Sequence, residues 1–254
     1  MNNLLRFPFF VFFSSFTVMV LSARIGFLLR KRRQIDEEVR KDIDMIVAAV
    51  LTLLGLLIGF SFSMATNRYD LRKNYEEAEA NAIGTEYLRA DLLPSSEASK
   101  VRILLKDYLE QRILFYEAGD ESQLEQIKAR TAQLQSELWS SARISASSQP
   151  TPIMALAVAG MNDVLNSQGY TQAAWWNRIP AGAWLLMAAV AICSNLLVGY
   201  AERSTEVGAV RLLILPLVLC IAFFLIADID SPRRGIIVVH PQNLISLFRS
   251  MQGQ

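Results

Sequence analysis

The chain has 254 residues and a formal net charge of +1; 52% of its residues are hydrophobic and 19% are charged. Soluble domains carry about 25% charged residues, so this composition is shifted toward a membrane protein. The near-neutral charge argues against a nucleic-acid partner. The single histidine, His240, excludes most metal sites and every catalytic triad that needs a histidine in the body of the protein. We predict no cofactor, no metal and no enzymatic activity.

Four apolar segments are long enough to cross a bilayer, which takes about 20 residues of helix for roughly 30 Å of hydrocarbon. Arg211 lies near one end of the fourth segment, where its side chain can reach the interface. Pro216 inside that segment is tolerated in a membrane helix at the cost of a kink. The predicted transmembrane helices are about 7–29, 43–65, 179–201 and 207–227.

The first apolar segment could instead be a cleaved signal peptide, since Leu21, Ser22 and Ala23 form an acceptable small-residue site. Its apolar run is longer than the usual 7–15 residues, and Arg6 is the only positive charge before it. These features favour a retained helix.

Residues 66–178 have a different character, with 12 Lys and Arg, 15 Asp and Glu, and a helix-forming composition. Pro94 ends one predicted helix, Ser95 or Ser96 caps the next, and Asp120 caps a third after Gly119. We predict an all-α membrane protein in which this helical soluble domain is inserted between transmembrane helices 2 and 3.

The third helix of the predicted domain carries a short apolar seam with spacings of 3, 4, 3 and 4. Two heptads are too few for a free coiled coil, so the seam predicts core packing within a small bundle. Its residues are Leu124, Ile127, Thr131, Leu134 and Leu138.

The rest of the chain is predicted from composition alone. Residues 145–152 are rich in Ser and Pro and predict a loop, and 153–165 predict a short helix. In the C-terminal tail, 228–254, the β-branched run at 235–239 predicts either a single strand or an extended segment.

The second apolar segment contains the most informative pattern. Gly55 and Gly59 form a small-xxx-small motif, which allows two helices to approach closely in lipid. Ser61, Ser63 and Thr66 follow, and such hydroxyls either bond to carbonyls of the preceding turn or face a hydrated cavity. No break follows, so we expect the helix to run on beyond Arg72 and Lys73.

These residues resemble a known family. Gly59-Phe60, followed by Arg68, Tyr69 and Asp70, is similar to the end of the second membrane helix of bestrophins. The block at 79–94 and the segment at 228–235 resemble, more specifically, a bacterial bestrophin-like family of integral membrane proteins. This second resemblance extends over nearly the whole chain.

The resemblance implies an anion channel, passing ions such as chloride, that is built as a homo-oligomeric ring of five subunits around the second helices. It assigns the pore constriction to Phe60, Leu56 and Thr52; Thr52 departs from the apolar pattern of the family. The calcium site of animal members has no counterpart beyond Asp228 and Asp230. For those two residues helix termination is favoured over a cation site, because two carboxylates fall short of a calcium ligand set.

Two other function classes remain open at this stage. A non-conducting membrane scaffold or sensor would bind a partner through its soluble domain, and an apolar face on every helix would favour it. A membrane-embedded enzyme is disfavoured by the single histidine, which leaves only a carboxylate-based mechanism open to it.

The orientation in the membrane is undecided by charge. The short loops and the flanks on the opposite side carry eight Lys and Arg each, so the positive-inside rule gives a tie. The dense positive charge of the loop at 30–41 would place that loop in the cytoplasm, whereas the resemblance favours a soluble domain on the cytoplasmic side of a bacterial inner membrane.

Overall fold

A computed structural model describes residues 7–31, 37–202 and 208–253, with side chains described at 7–30, 39–202 and 212–253. The described residues form eight α-helices, and a short 3-10 turn at Ala90–Leu92 follows the second. The helices are α1 Pro8–Lys31, α2 Glu37–Arg89, α3 Ser95–Glu117, α4 Glu121–Ser148, α5 Pro152–Trp176, α6 Ala181–Ala201, α7 Gly208–Asp230 and α8 Gln242–Gln252.

Four candidate membrane spans are long and apolar enough to cross a bilayer. They lie in Pro8–Arg30, Val39–Leu92, Pro152–Ala201 and Leu212–Asp230. The prediction of an all-α membrane protein with four transmembrane helices is therefore confirmed. Pro216 lies inside α7 as expected, whereas the side chain of Arg211 falls outside the described part of the chain.

The chain divides into two compact units. The first unit contains Met1–Arg68 and Arg178–Val238, and the second contains Tyr69–Asn177 and Val239–Gln254. In the first unit, α1 packs along both α6 and α7. Phe12 of α1 meets Phe224 of α7 edge to face at 6.2 Å, and the Ser22 hydroxyl donates a 2.7 Å hydrogen bond to the carbonyl of Ile192 in α6.

Glycines provide the close contact between α1 and α6. A β-carbon placed on Gly26 would overlap the carbonyl oxygen of Leu196, and one placed on Gly199 would overlap that of Ala23. Backbones approach this closely only where a side chain is absent, which is the use that small-residue motifs have in lipid. The packing glycines of the first unit are thus Gly26 and Gly199.

The second unit has an apolar core formed from parts of α2, α3, α4, α5 and α8. The five seam residues predicted on α4 are all buried, which confirms the prediction of core packing. An aromatic cluster lies in the same core, where Phe115 and Tyr116 of α3 both contact Trp175 of α5 with ring centroids 5.0 and 5.2 Å apart.

Helix ends agree only partly with the sequence-based expectations. The Asp120 carboxylate accepts a 2.7 Å hydrogen bond from the backbone N–H of Gln123, so its predicted capping role is confirmed. The cap predicted at Ser95 or Ser96 is wrong: Ser95 is the first residue of α3, and Pro94 occupies the N-cap position with no side-chain hydrogen bond. Proline fixes a φ that suits a helix start, so the serines are not needed there.

The predicted loop at 145–152 is shorter than expected, and the predicted helix at 153–165 is longer. Helix α4 continues to Ser148 because Ser145 is buried against the core and the Ser147 hydroxyl donates back to the carbonyl of Arg143. The Thr151 side chain then accepts a hydrogen bond from the N–H of Met154 and caps α5, which extends to Trp176.

The described C-terminal residues contain no strand. The run predicted to be a strand or an extended segment begins instead in bends at 232–237, because Gly235 at φ +141° turns the chain against Asp228, and the next element is the helix α8. Composition predicts a tail at 228–254, and the structure differs there by forming helix α8.

Candidate pore-lining face

Helix α2 continues well beyond the length needed to cross a membrane. Its 53 residues extend about 80 Å at 1.5 Å per residue, against roughly 30 Å of hydrocarbon. The expectation that the second helix runs on past Lys73 is confirmed. Neither proline nor glycine interrupts it between Gly59 and Gly84, so nothing in the local sequence stops it.

In the first unit, α2 has one buried side. Leu54, Ser61 and Ala65 are buried, and their spacings of 7 and 4 place them on one face of a helix. At 100° per residue, the opposite face is centred near Thr52 and Ser63. The side chains of that opposite face are exposed in the single chain.

The three predicted pore residues lie on this exposed face. Leu56 is 54% exposed and Phe60 is 61% exposed, and Thr52 is exposed with its hydroxyl donating a 2.8 Å hydrogen bond to the carbonyl of Ala48. The fold therefore presents these residues together on one side of one helix. Their arrangement around a conduit remains a prediction, because it needs neighbouring subunits.

The exposed face is rich in small and polar residues. Thr52, Gly55, Gly59, Ser63 and Asn67 all lie on it and are exposed. In the most apolar stretch of α2, only 11% is buried inside the chain. The corresponding stretch of α7 is 50% buried. The Thr52 hydroxyl is satisfied by its own helix, but an exposed amide such as that of Asn67 is costly against hydrocarbon, so this end of the face is better suited to water or to another protein surface than to lipid.

Gly55 and Gly59 have open space around them. A β-carbon on either would meet no described atom within 4 Å. Their predicted role in helix packing is thus not fulfilled within the described part of this chain, and it stays a prediction for contacts between chains. The same sequence signal, a small residue four positions from a glycine, exists at Ser22 and Gly26, where the structure uses it.

Asp228 and Asp230 fix the end of α7. The Asp228 carboxylate accepts 2.8 Å hydrogen bonds from the N–H groups of Ile236 and Ile237, and Gly235, at φ +141°, turns the chain against it. These contacts hold the segment that follows α7, and the helix itself ends two residues later, at Asp230.

Asp230, the last residue of α7, accepts two 3.2 Å hydrogen bonds from the N–H of Ile179 and lies 3.7 Å from the guanidinium of Arg68. Both carboxylates therefore bind the protein itself. Among the residues described, no group of three or more His, Cys, Asp or Glu side chains is arranged to hold a metal ion.

In the second unit, α2 anchors the ends of two other helices through buried charges. The Arg72 guanidinium donates to the carbonyls of Ala174 and Asn177 at the C-terminus of α5. The Glu76 carboxylate accepts hydrogen bonds of 2.9 and 3.0 Å from the N–H groups of Asn243 and Leu244, the first turn of α8. Each charge has the sign that complements the dipole of the helix end it contacts.

Glu79 and Arg112 form a fully buried ion pair in the second unit. The Glu79 carboxylate accepts hydrogen bonds of 2.5 and 3.4 Å from Arg112, and a third, of 3.0 Å, from the Thr171 hydroxyl. Burial alone would lower the pKa of Arg112, but the carboxylate beside it keeps that pKa above its ordinary value. Burial, reinforced by the negative charge of Glu79, raises the pKa values of Tyr108 and Tyr116.

Composition does not mark these charges as buried, because a charged stretch on a helix is usually a solvated face. A signal was nevertheless present. Arg72, Glu76, Glu79, Ile83 and Glu86 recur at spacings of 4, 3, 4 and 3, which is the period of a buried helix face. All five are buried, so the charges point into the second unit rather than away from it.

Glu86 differs from the other buried carboxylates. It lies against Gly160 of α5, where an added β-carbon would overlap its Oε2 atom. Burial raises the pKa of Glu86 to about 8, with Arg89 lowering it and Asp163 raising it further. Glu86 is therefore protonated in the folded protein at neutral pH.

The raised pKa predicts a pH-dependent stability. Between pH 4.5 and about 8 the folded protein keeps a proton on Glu86 that the unfolded chain has lost, so the free energy of unfolding falls by up to about 1.4 kcal/mol per pH unit as the pH rises. Glu86→Gln should remove this part of the pH dependence. Melting temperatures at pH 5, 6, 7 and 8 test this, with Glu110→Gln on the exposed side of α3 as the control. Parallel profiles for Glu86→Gln and the wild type would contradict the assignment.

The fold and the polar face define a class of protein: an all-α, four-span membrane protein whose second membrane helix extends into a helical second unit. A family model of the bestrophin-like domain matches residues 11–244. The chain belongs to the bestrophin-like family. No match is found among curated protein sequences.

Solved structures of low sequence identity share the fold. A mutant of a bacterial bestrophin homologue from Klebsiella pneumoniae is 11% identical with a TM-score of 0.67, over 96% of this chain and 99% of that one. A second structure of a bacterial bestrophin homologue from Klebsiella pneumoniae gives 12% and 0.65, over 95% and 98%. A mutant described as a membrane protein gives 12% and 0.66, over 96% and 99%. At this identity the similarity shows the fold.

Proposed function

We propose that this protein is a homo-oligomeric ion channel of the bacterial inner membrane that passes anions through a pore lined by α2. The observation that carries the proposal is the exposed face of small and polar residues opposite the buried side of α2, in the helix that the resemblance to bestrophin channels assigns to the pore. An apolar face on every membrane helix would favour a scaffold or sensor instead, whereas the exposed face of α2 carries Thr52, Ser63 and Asn67.

The composition of this face supports the passage of anions. From Met45 to Tyr69 there is no Asp or Glu, so no carboxylate on this stretch of α2 repels an anion. The Thr52 hydroxyl already donates to Ala48, whereas the exposed Asn67 amide can donate hydrogen bonds that replace part of the hydration shell of the ion. Phe60 and Leu56 form an apolar ring that is dry in the closed state, with Thr52 on one side of it and Ser63 and Asn67 on the other.

A single chain does not enclose a conduit, because it supplies one such helix. A closed ring is the usual assembly of a repeated subunit, and we propose five copies with the exposed faces of α2 toward the axis. Gly55 and Gly59, which have no neighbour in the chain, then allow adjacent copies of α2 to approach each other. In this proposal the helical soluble domain lies on the cytoplasmic side of the membrane.

The mass of the complex in lipid nanodiscs tests the assembly. The wild type should give about five times the 28.5 kDa subunit mass. Gly59→Leu should give smaller species, because the added side chain separates the neighbouring helices, while Gly182→Leu, at another glycine with open space around it, should keep the wild-type mass. A monomeric wild type would contradict the proposed channel.

A further inference from the structure

An apolar groove runs along the outside of the first unit between α1 and α6. Its volume is about 380 Å³, and its lining includes Val18, Met19, Trp184, Ala188 and Ile192, with Phe223 of α7 behind them. The lining hydroxyls make no demand on an occupant, because Ser14 donates to the carbonyl of Phe10 at 2.6 Å and Ser15 to that of Phe12 at 3.1 Å. The groove therefore suits a hydrocarbon chain.

The length of the groove matches one leaflet of a bilayer. Its α6 wall extends from Ala181 to Ile192, which is about 16 Å at 1.5 Å per residue. Half of the roughly 30 Å hydrocarbon core is about 15 Å. Ala181 is the first residue of α6, so the groove begins at one end of the span and closes near its middle, as a site for one acyl chain would.

The guanidinium of Arg234 lies at the open end of the groove. Phe7 is one turn before Phe10, the first α1 residue of the groove, and the Arg234 guanidinium carbon lies 4.3 Å from the centroid of the Phe7 ring. Arg234 is exposed and follows the end of α7 at Asp230, on the same side as the start of α1. A guanidinium stacked on an aromatic ring keeps its N–H groups available for a phosphate, which it binds in a bidentate manner.

We propose that this groove is a binding site for an anionic phospholipid, with one acyl chain between α1 and α6 and the headgroup phosphate on Arg234. The apolar wall of one-leaflet length selects a lipid chain over a polar ligand. The exposed guanidinium at the mouth provides the charge complementarity that favours an anionic headgroup over a zwitterionic one. The site does not depend on whether the protein conducts ions.

Native mass spectrometry of the full chain tests the proposal. The protein is released from nanodiscs of equimolar dioleoylphosphatidylglycerol and dioleoylphosphatidylcholine, and the retained lipids are counted. The wild type should keep about one phosphatidylglycerol per subunit. Ala188→Phe should lose it because the ring fills the groove, whereas Ala189→Phe, exposed on the same helix and outside the groove, should keep it.

Arg234→Ala tests the headgroup without changing the packed interior. It should retain lipid with about a tenfold lower preference for phosphatidylglycerol over phosphatidylcholine, which is the effect of losing one charge-assisted contact. Arg143→Ala, at an exposed position of α4, should keep the wild-type preference. Equal retention of phosphatidylglycerol by Ala188→Phe and the wild type would overturn the proposal. So would a reduced oligomer mass in Ala188→Phe, because the occupant would then be a second copy of the chain.

Discussion

Replacing Arg112 by alanine is expected to lower the free energy of unfolding by about 3–5 kcal/mol, because it leaves the Glu79 carboxylate charged in a site closed to water. The Thr171 hydroxyl remains as a hydrogen-bond donor to Glu79, but it brings no positive charge. The ion pair also joins α2 to α3. Loss of the pair should therefore lower the stability of the whole second unit. Denaturant unfolding of the purified protein measures the effect.

Two controls separate burial from charge pairing. Arg130→Ala removes a half-exposed pair in which the guanidinium lies 3.7 Å from Asp107, and should cost less than about 1 kcal/mol. The double variant Glu79→Leu with Arg112→Met removes both charges together and should be closer to the wild type than Arg112→Ala is. Equal losses in Arg112→Ala and Arg130→Ala would show that the Glu79–Arg112 pair contributes no more than a surface pair.

Replacing Gly199 by alanine is expected to destabilise the first unit by about 3 kcal/mol, at the upper end of the usual cost of overpacking. The added carbon would overlap the backbone of Ala23, which lies in a helix and cannot move as a side-chain end does. Helices α1 and α6 would have to separate along their closest contact. Thermal unfolding in detergent measures the change.

Gly182→Ala is the matched control, since Gly182 lies on the same helix with no described atom within 4 Å of its β-carbon position. Alanine is the better helix former, so this variant should be neutral or more stable than the wild type. A neutral effect of Gly199→Ala as well would show that the backbones of α1 and α6 do not approach as closely as described.

Periodicity and composition were sufficient to predict the features that depend on a single segment of the chain. The four spans follow from apolar length, the buried seam from Leu124 to Leu138 follows from heptad spacing, and the Asp120 cap follows from its own turn. The same holds for the continuation of α2, which needs only the absence of a break.

Features that depend on two distant segments could not be predicted in this way. The start of α8 is fixed by Glu76, 167 residues away from Asn243 in the chain, and an 11-residue helix is marginal without such a partner. The choice between Gly55–Gly59 and Gly26–Gly199 as packing sites within the chain depends on which helices become neighbours. The candidate pore residues followed from the family resemblance, and the structure adds that they share an exposed face.

Chloride efflux from liposomes tests the central claim most directly, with Phe60→Ala compared with the wild type and with Phe62→Ala. Phe62 is also exposed but lies about 120° around the helix from Leu56, outside the line of Thr52, Leu56 and Phe60. Removing an apolar ring that gates by dewetting should increase efflux, so Phe60→Ala should leak chloride while Phe62→Ala behaves as the wild type, both with little change in melting temperature. The contrary result is a Phe60→Ala protein that unfolds more easily and releases no more chloride than the wild type. Easier unfolding is the effect of losing a packed aromatic side chain. That result would contradict the assignment of Phe60 and this face of α2 to a pore.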